Sequence, residues 1–139
     1  MRIKLGLLMA TLALLSAAPA FAHHGFGVEY DGSKCMDLKG TLTGLTWENP
    51  HAYFDMDVKA ADGKNVTWHV EMVTPNALKR TGSTKQVFEE NFGKTINARV
   101  CPAKGGENRG AATYLALSDG LIRLVGQQVE RRSDAEKHF

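Results

Sequence analysis

Tyr53-Phe54-Asp55-Met56-Asp57-Val58 and Val66-Thr67-Trp68-His69-Val70-Glu71-Met72 decide the fold of this chain. In the first run Phe54, Met56 and Val58 alternate with Tyr53, Asp55 and Asp57. In the second Val66, Trp68, Val70 and Met72 alternate with Thr67, His69 and Glu71. A period of two with one apolar face marks a half-buried strand. Ala61-Asp62-Gly63 between them suits a three-residue hairpin loop with Gly63 in the left-handed position. Pairing Ala60 with Lys64 then puts Met56 opposite Trp68 on the inner face, with Asp55 opposite His69 and Tyr53 opposite Glu71 on the outer one. A two-residue loop would pair inward residues with outward ones and is rejected.

Working outward, Met36 to Trp47 reads as the preceding strand, with its alternation broken at Gly44, where a bulge or sharp bend restores an inward face. Asn49-Pro50 turns the chain into the hairpin. After the hairpin, Thr74-Pro75 is an N-cap with Pro at the first helical position, and Gly82 stops the short helix that carries Leu78. Ser83 with Gln86 is a capping box for a further turn or two. Thr95 to Cys101 alternates as a fourth strand. Ala112 to Leu117 is a fifth, and Leu121 to Val125 follows the turn Ser118-Asp119-Gly120. Three strands, a short helix and two or three more strands predict a mainly β fold, a five- to six-stranded OB-like barrel with one short helix between strands three and four.

The first 22 residues have a different character. Arg2 and Lys4 precede an apolar run from Gly6 to Ala18, and Ala20 and Ala22 satisfy the small-residue rule for signal-peptide cleavage. A retained anchor is the lesser alternative. Cleavage after Ala22 would remove 22 of 139 residues and leave 117, one domain's worth. It would also remove two of the 17 basic residues, so that 15 face 15 acidic ones. A near-neutral exported chain has little reason to meet nucleic acid, which selects for basic faces, and Asp55, Asp57 and Glu71 make the outer hairpin face acidic. The expected organisation is a signal peptide at 1–22, an N-terminal arm and one OB-like domain over 23–126, and a charged tail at 127–139, a frayed helix or disordered. The expected location is periplasmic or secreted, with no membrane span after cleavage.

The two cysteines, Cys35 and Cys101, read first as a disulfide in an exported chain, with free thiols or soft metal ligands as alternatives. In an OB topology strand one pairs with strand four, so Cys35 before strand one lies near Cys101 at the end of strand four. That proximity favours the disulfide.

Several runs taken together have a familiar look: His23-His24-Gly25-Phe26 with Glu29-Tyr30-Asp31, Gly40-Thr41-Leu42-Thr43, Trp47-Glu48-Asn49-Pro50-His51, Trp68-His69-Val70-Glu71-Met72 and Pro75-Asn76-Ala77-Leu78. With them the chain resembles the small exported bacterial proteins grouped as domain-of-unknown-function family 6152, over nearly all of the part after Ala22. The resemblance implies an exported single domain and brings no activity with it. The chain departs from the usual pattern in having Gly25 where a serine is common and in carrying the two cysteines.

Chemistry must therefore come from the residues. The five histidines are His23, His24, His51, His69 and His138. Cleavage after Ala22 gives His23 a free α-amine beside its imidazole, a two-nitrogen chelate. One more imidazole makes a T-shaped three-nitrogen set suited to copper(II) and its tetragonal preference. His24, adjacent in sequence, is the poorer third ligand, and His51, opening strand two, is the better one. Tyr53, Asp55, His69 and Glu71 would support such a site or form a ligand face of their own. Bland readings compete with each of these. Adjacent histidines in an arm are solvated side chains, His69 opposite Asp55 is an ordinary cross-strand pair contributing about 0.2–1 kcal/mol, His138 is tail, and Trp47 and Trp68 are core and rim. Three function classes follow: an exported copper-binding protein, a metal-free module for a protein or small-molecule partner, and an enzyme. The last is disfavoured, because no nucleophile with an adjacent base and no phosphate-binding glycine motif is present.

Overall fold

The computed structural model describes residues 25–127, 129 and 132–139. The leader read at 1–22, and His23 and His24 after it, lie outside the described residues. The arm begins with one helical turn, α1 (Phe26–Glu29), and leads into β1 (Met36–Thr46). In this turn the amides of Val28 and Tyr30 donate back to the carbonyls of Gly25 and Phe26.

β1 serves two neighbours. Its first half pairs antiparallel with β4 (Thr95–Pro102) and its second with β2 (Tyr53–Lys59), the two overlapping at Gly40 and Thr41. A Cβ at Gly40 would lie 2.3 Å from the Asp57 carbonyl oxygen, so the crossing requires glycine. The bulge expected at Gly44 is present as a register shift between Leu42 and Gly44. β3 (Asn65–Glu71) pairs with β2 in the expected register, Met56 opposite Trp68, Asp55 opposite His69 and Tyr53 opposite Glu71. Gly63 sits at φ 83° in the hairpin loop, and the Ala60 amide donates to the Lys64 carbonyl at 2.8 Å.

β4 pairs with β5 (Arg109–Ala116), and the start of β5 runs parallel to β3, His69 to Glu71 against Arg109 to Ala111. That contact closes a five-stranded barrel in the order β3-β2-β1-β4-β5, with β6 (Ile122–Leu124) added on β5. This is the OB-like order. It also explains why β5 begins at Arg109 rather than at Ala112: Arg109, Gly110 and Ala111 are strand because they meet β3, a partner that local alternation does not reveal.

Leu42, Phe54, Met56, Val70, Ile96, Val100 and Leu115 fill the interior and are fully buried. Between β3 and β4 the chain forms two short helices, α2 (Pro75–Arg80) and α3 (Lys85–Glu89), where one was expected. They bring Leu78 and Phe88 into the core, and the Trp47 ring packs 6.0 Å from that of Phe88. Thr74 caps α2 as expected, its hydroxyl accepting from the Ala77 amide at 3.2 Å. The cap of α3 is Thr84, not Ser83: Thr84 Oγ1 accepts from the Val87 amide, while Ser83 is buried one residue too early.

Cys35 and Cys101 are bonded. The disulfide lies beside Tyr30 and Ala111 and fastens the base of the arm to β4. The tail carries a further turn, α4 (Arg132–Ala135), then a 3-10 turn over Glu136–His138, and His138 Nδ1 lies 2.9 Å from Asp37 Oδ2. Among the described residues no helix is long and apolar enough to cross a membrane.

Candidate functional site

Outward alternation on β2 and β3 sets Tyr53 and Asp55 against Glu71 and His69. Their side chains form one hydrogen-bonded patch. Asp55 Oδ1 accepts from His69 Nδ1 at 2.7 Å, and the His69 ring stacks on that of Tyr53 with centroids 4.8 Å apart and planes 7° apart. The Tyr53 hydroxyl in turn donates to Glu71 Oε2 at 3.1 Å. Gly44 permits the arrangement, because a Cβ there would come within 2.6 Å of Asp55 Oδ2.

Glu71 is where the arm joins the barrel. Its Oε2 accepts a second hydrogen bond, from the hydroxyl of Tyr30, at 2.8 Å. Tyr30 is 3% exposed and is bridged through its backbone to Ala103. Burial, then the bond to Glu71, raises its phenol well above the usual tyrosine range. Burial and the Glu71 charge push the phenol of Tyr53 up to about 12. Both hydroxyls therefore remain donors beyond the pH at which an ordinary tyrosine ionises. Further contacts dock the arm: Arg109 pairs with Glu29 at 3.0 Å, and Lys104 Nζ donates to the Gly27 carbonyl at 2.6 Å.

His51 stands just before β2, half-buried. Its Nδ1 lies 3.1 Å from the Met72 carbonyl oxygen and 3.6 Å from Glu71 Oε1. A carbonyl oxygen only accepts, so Nδ1 carries the proton and the lone pair of the neutral ring is on Nε2. A backbone carbonyl that fixes the ring this way, with a carboxylate close by, is the usual support for a metal-ligating imidazole.

A cavity of about 260 Å³ opens here. Its walls include Gly25, Phe26 and Tyr30 from the arm, His51 just before β2, Glu71 at the end of β3, and Gly126 after β6. Gly126 lies against β5 so tightly that a Cβ would fall 1.6 Å from the Ala112 carbonyl oxygen.

Of the residues singled out in the sequence, the structure brings His51, Tyr53, Asp55, His69 and Glu71 to one side of the barrel, with His51 and Glu71 in the cavity and Asp55 and His69 on the open face beside it. His138 sits on Asp37 at the start of β1. Among the described residues no group of three histidine, cysteine or acidic side chains is gathered around one point. Sequence reasoning missed Tyr30, Phe26 and Arg109 as parts of this region. Tyr30 stood inside a run already noticed, yet nothing local shows that its hydroxyl meets a carboxylate on β3.

No curated protein and no solved structure matches the chain. A family model does match, over residues 11–112, which include the arm, the hairpin, both helices between β3 and β4, and the first half of β5. With most of its length matched, the chain belongs to the family of unknown function DUF6152.

Proposed function

We propose that this protein is exported and binds copper(II) through the amine and imidazole of His23, freed by cleavage after Ala22, together with Nε2 of His51. His24 and Glu71 stand by as further donors. The observation that carries this reading is the position of Gly25, which lines the same cavity as His51 and Glu71. His23 precedes Gly25 by two residues, a reach of about 7 Å in extended chain. The donors are nitrogen and carboxylate oxygen, a set that suits copper(II) better than the thioether-preferring copper(I). The Nδ1 proton of His51, directed at the Met72 carbonyl, leaves Nε2 as the coordinating atom.

The disulfide supports export, because such bonds persist in oxidising compartments. The role that follows is metal holding rather than turnover: storage, delivery or sensing of the ion.

The test is a copper(II) titration with electron paramagnetic resonance, on protein beginning at His23 and on protein with one extra alanine in front. One-to-one binding with a nitrogen-rich tetragonal signal, lost in the extended form, is the expected result. Equal binding by both forms removes the amine from the site and overturns the proposal.

A further inference from the structure

The cavity has the make-up of a receptor for a small organic cation, whatever stands at its rim. Its described lining holds one carboxylate, Glu71, and neither lysine nor arginine. Both tyrosine hydroxyls that bond Glu71 end on Oε2. Oε1 is 3.6 Å from His51 Nδ1, beyond hydrogen-bond length, and among the described residues no hydrogen bond ends on it, so it is the oxygen that faces a donor in the cavity. Phe26 and Tyr30, their rings 5.5 Å apart, put two aromatic surfaces in the same wall. Rings of this kind attract a cation that has left bulk water. Val73 and Ala111 make the remainder apolar.

Size narrows the class. The volume of about 260 Å³ falls just below the range, from about 300 Å³, in which drug-sized ligands are held. We infer that the cavity binds a small primary amine in its ammonium form, the N–H groups donating to Glu71 Oε1 and a short alkyl chain lying against Phe26, Val73 and Ala111. An alkyl carboxylate of the same length would meet Glu71 with like charge. An alcohol would keep the apolar contact and lose the charge-assisted bond.

This inference does not depend on the copper reading, and it is tested on metal-free protein beginning at His23, with a chelator present. Butylammonium, butanol and butyrate are titrated separately while the amide signals of Ala111, Ala112 and Gly126 are followed by NMR. Saturable shifts with butylammonium, about tenfold weaker binding of butanol and no response to butyrate are expected. Glu71→Gln should weaken butylammonium binding by about tenfold. Phe26→Ala, which leaves the carboxylate and the barrel core untouched, should weaken it several-fold. Butanol binding as tightly as butylammonium, no saturable shift at these amides, or an unchanged affinity in a folded Glu71→Gln variant would each overturn the inference. Should Glu71→Gln unfold, the ligand comparison and Phe26→Ala still decide. A failed copper titration leaves these results unaffected, and a failed amine titration leaves the copper site as it was.

Discussion

The hydroxyl of Tyr30 donates to Glu71 Oε2 at 2.8 Å, joining two residues 41 positions apart in the chain. Tyr30 belongs to the arm and Glu71 to the last position of β3, so this bond joins the arm to the barrel within the wall of the cavity that His51 also lines. Tyr53 bonds the same oxygen from the neighbouring strand. A single carboxylate oxygen therefore ties the arm, β2 and β3 together.

Tyr30→Phe removes a bond to a charged acceptor while keeping the ring, and should cost about 1–2 kcal/mol, with Tyr53 still satisfying Glu71. The Asp31 amide, bonded to the Pro102 carbonyl, and the Lys104 amide, bonded to the Glu29 carbonyl, should exchange faster with solvent. Hairpin amides between β2 and β3 should keep their protection. Unchanged exchange at Asp31 and Lys104 would show that Tyr30 is not what holds the arm.

Alkaline pH should loosen the same region. Tyr53 titrates near 10 when unfolded and at about 12 when folded, and Tyr30 is shifted in the same direction. A raised folded pKa means that the folded state holds its proton longer. The stabilisation is complete below pH 10 and is lost as pH rises through 10 toward 12. Absorbance at tyrosinate wavelengths should show both phenols ionising late, together with a fall in the denaturant midpoint over that window.

Replacing both Cys35 and Cys101 by serine should lower stability by roughly 4 kcal/mol, from the entropy of the loop they close. Chemical denaturation with and without a dithiol reductant measures it. A loss below about 1 kcal/mol would mean that the remaining arm contacts confine the chain as well as the bond does.

Gly126→Ala should be destabilising by about 1–3 kcal/mol or more, because the new methyl meets the Ala112 carbonyl oxygen. Gly105→Ala meets nothing within 4 Å and should fall within about 0.5 kcal/mol of the parent. Thermal melts of the two variants side by side check the contrast.

Asp55→Asn should cost less than about 1 kcal/mol despite the short contact with His69, because the two side chains are 36% and 46% exposed. A double-mutant cycle with His69→Ala isolates the pair. A coupling of several kcal/mol would assign Asp55 and His69 a role beyond a solvated cross-strand pair.

The hairpin was legible in the sequence because its information is local. Alternation has a period of two, and one loop length is compatible with Met56 facing Trp68. The bulge at Gly44, the cap at Thr74 and the meeting of Cys35 with Cys101 followed from similarly simple rules. Short-range rules also misjudged some positions. Ser83 has the spacing of a capping box, yet packing draws it inside, and Thr84 takes the helix terminus. Local alternation placed the start of β5 too late, since its first residues are strand through their parallel contact with β3.

By itself the sequence determined the mainly β class, the inner and outer faces of the hairpin and the set of polar residues on its outside, since these depend on side-chain period and turn chemistry over a few residues. Tertiary structure alone decided that Tyr30 reaches Glu71, that Arg109 reaches Glu29, and that arm, hairpin and the segment after β6 enclose one cavity. Those contacts join residues tens of positions apart and form when barrel closure brings their strands together. Closure is a property of the whole sheet, carried by no single segment of the chain.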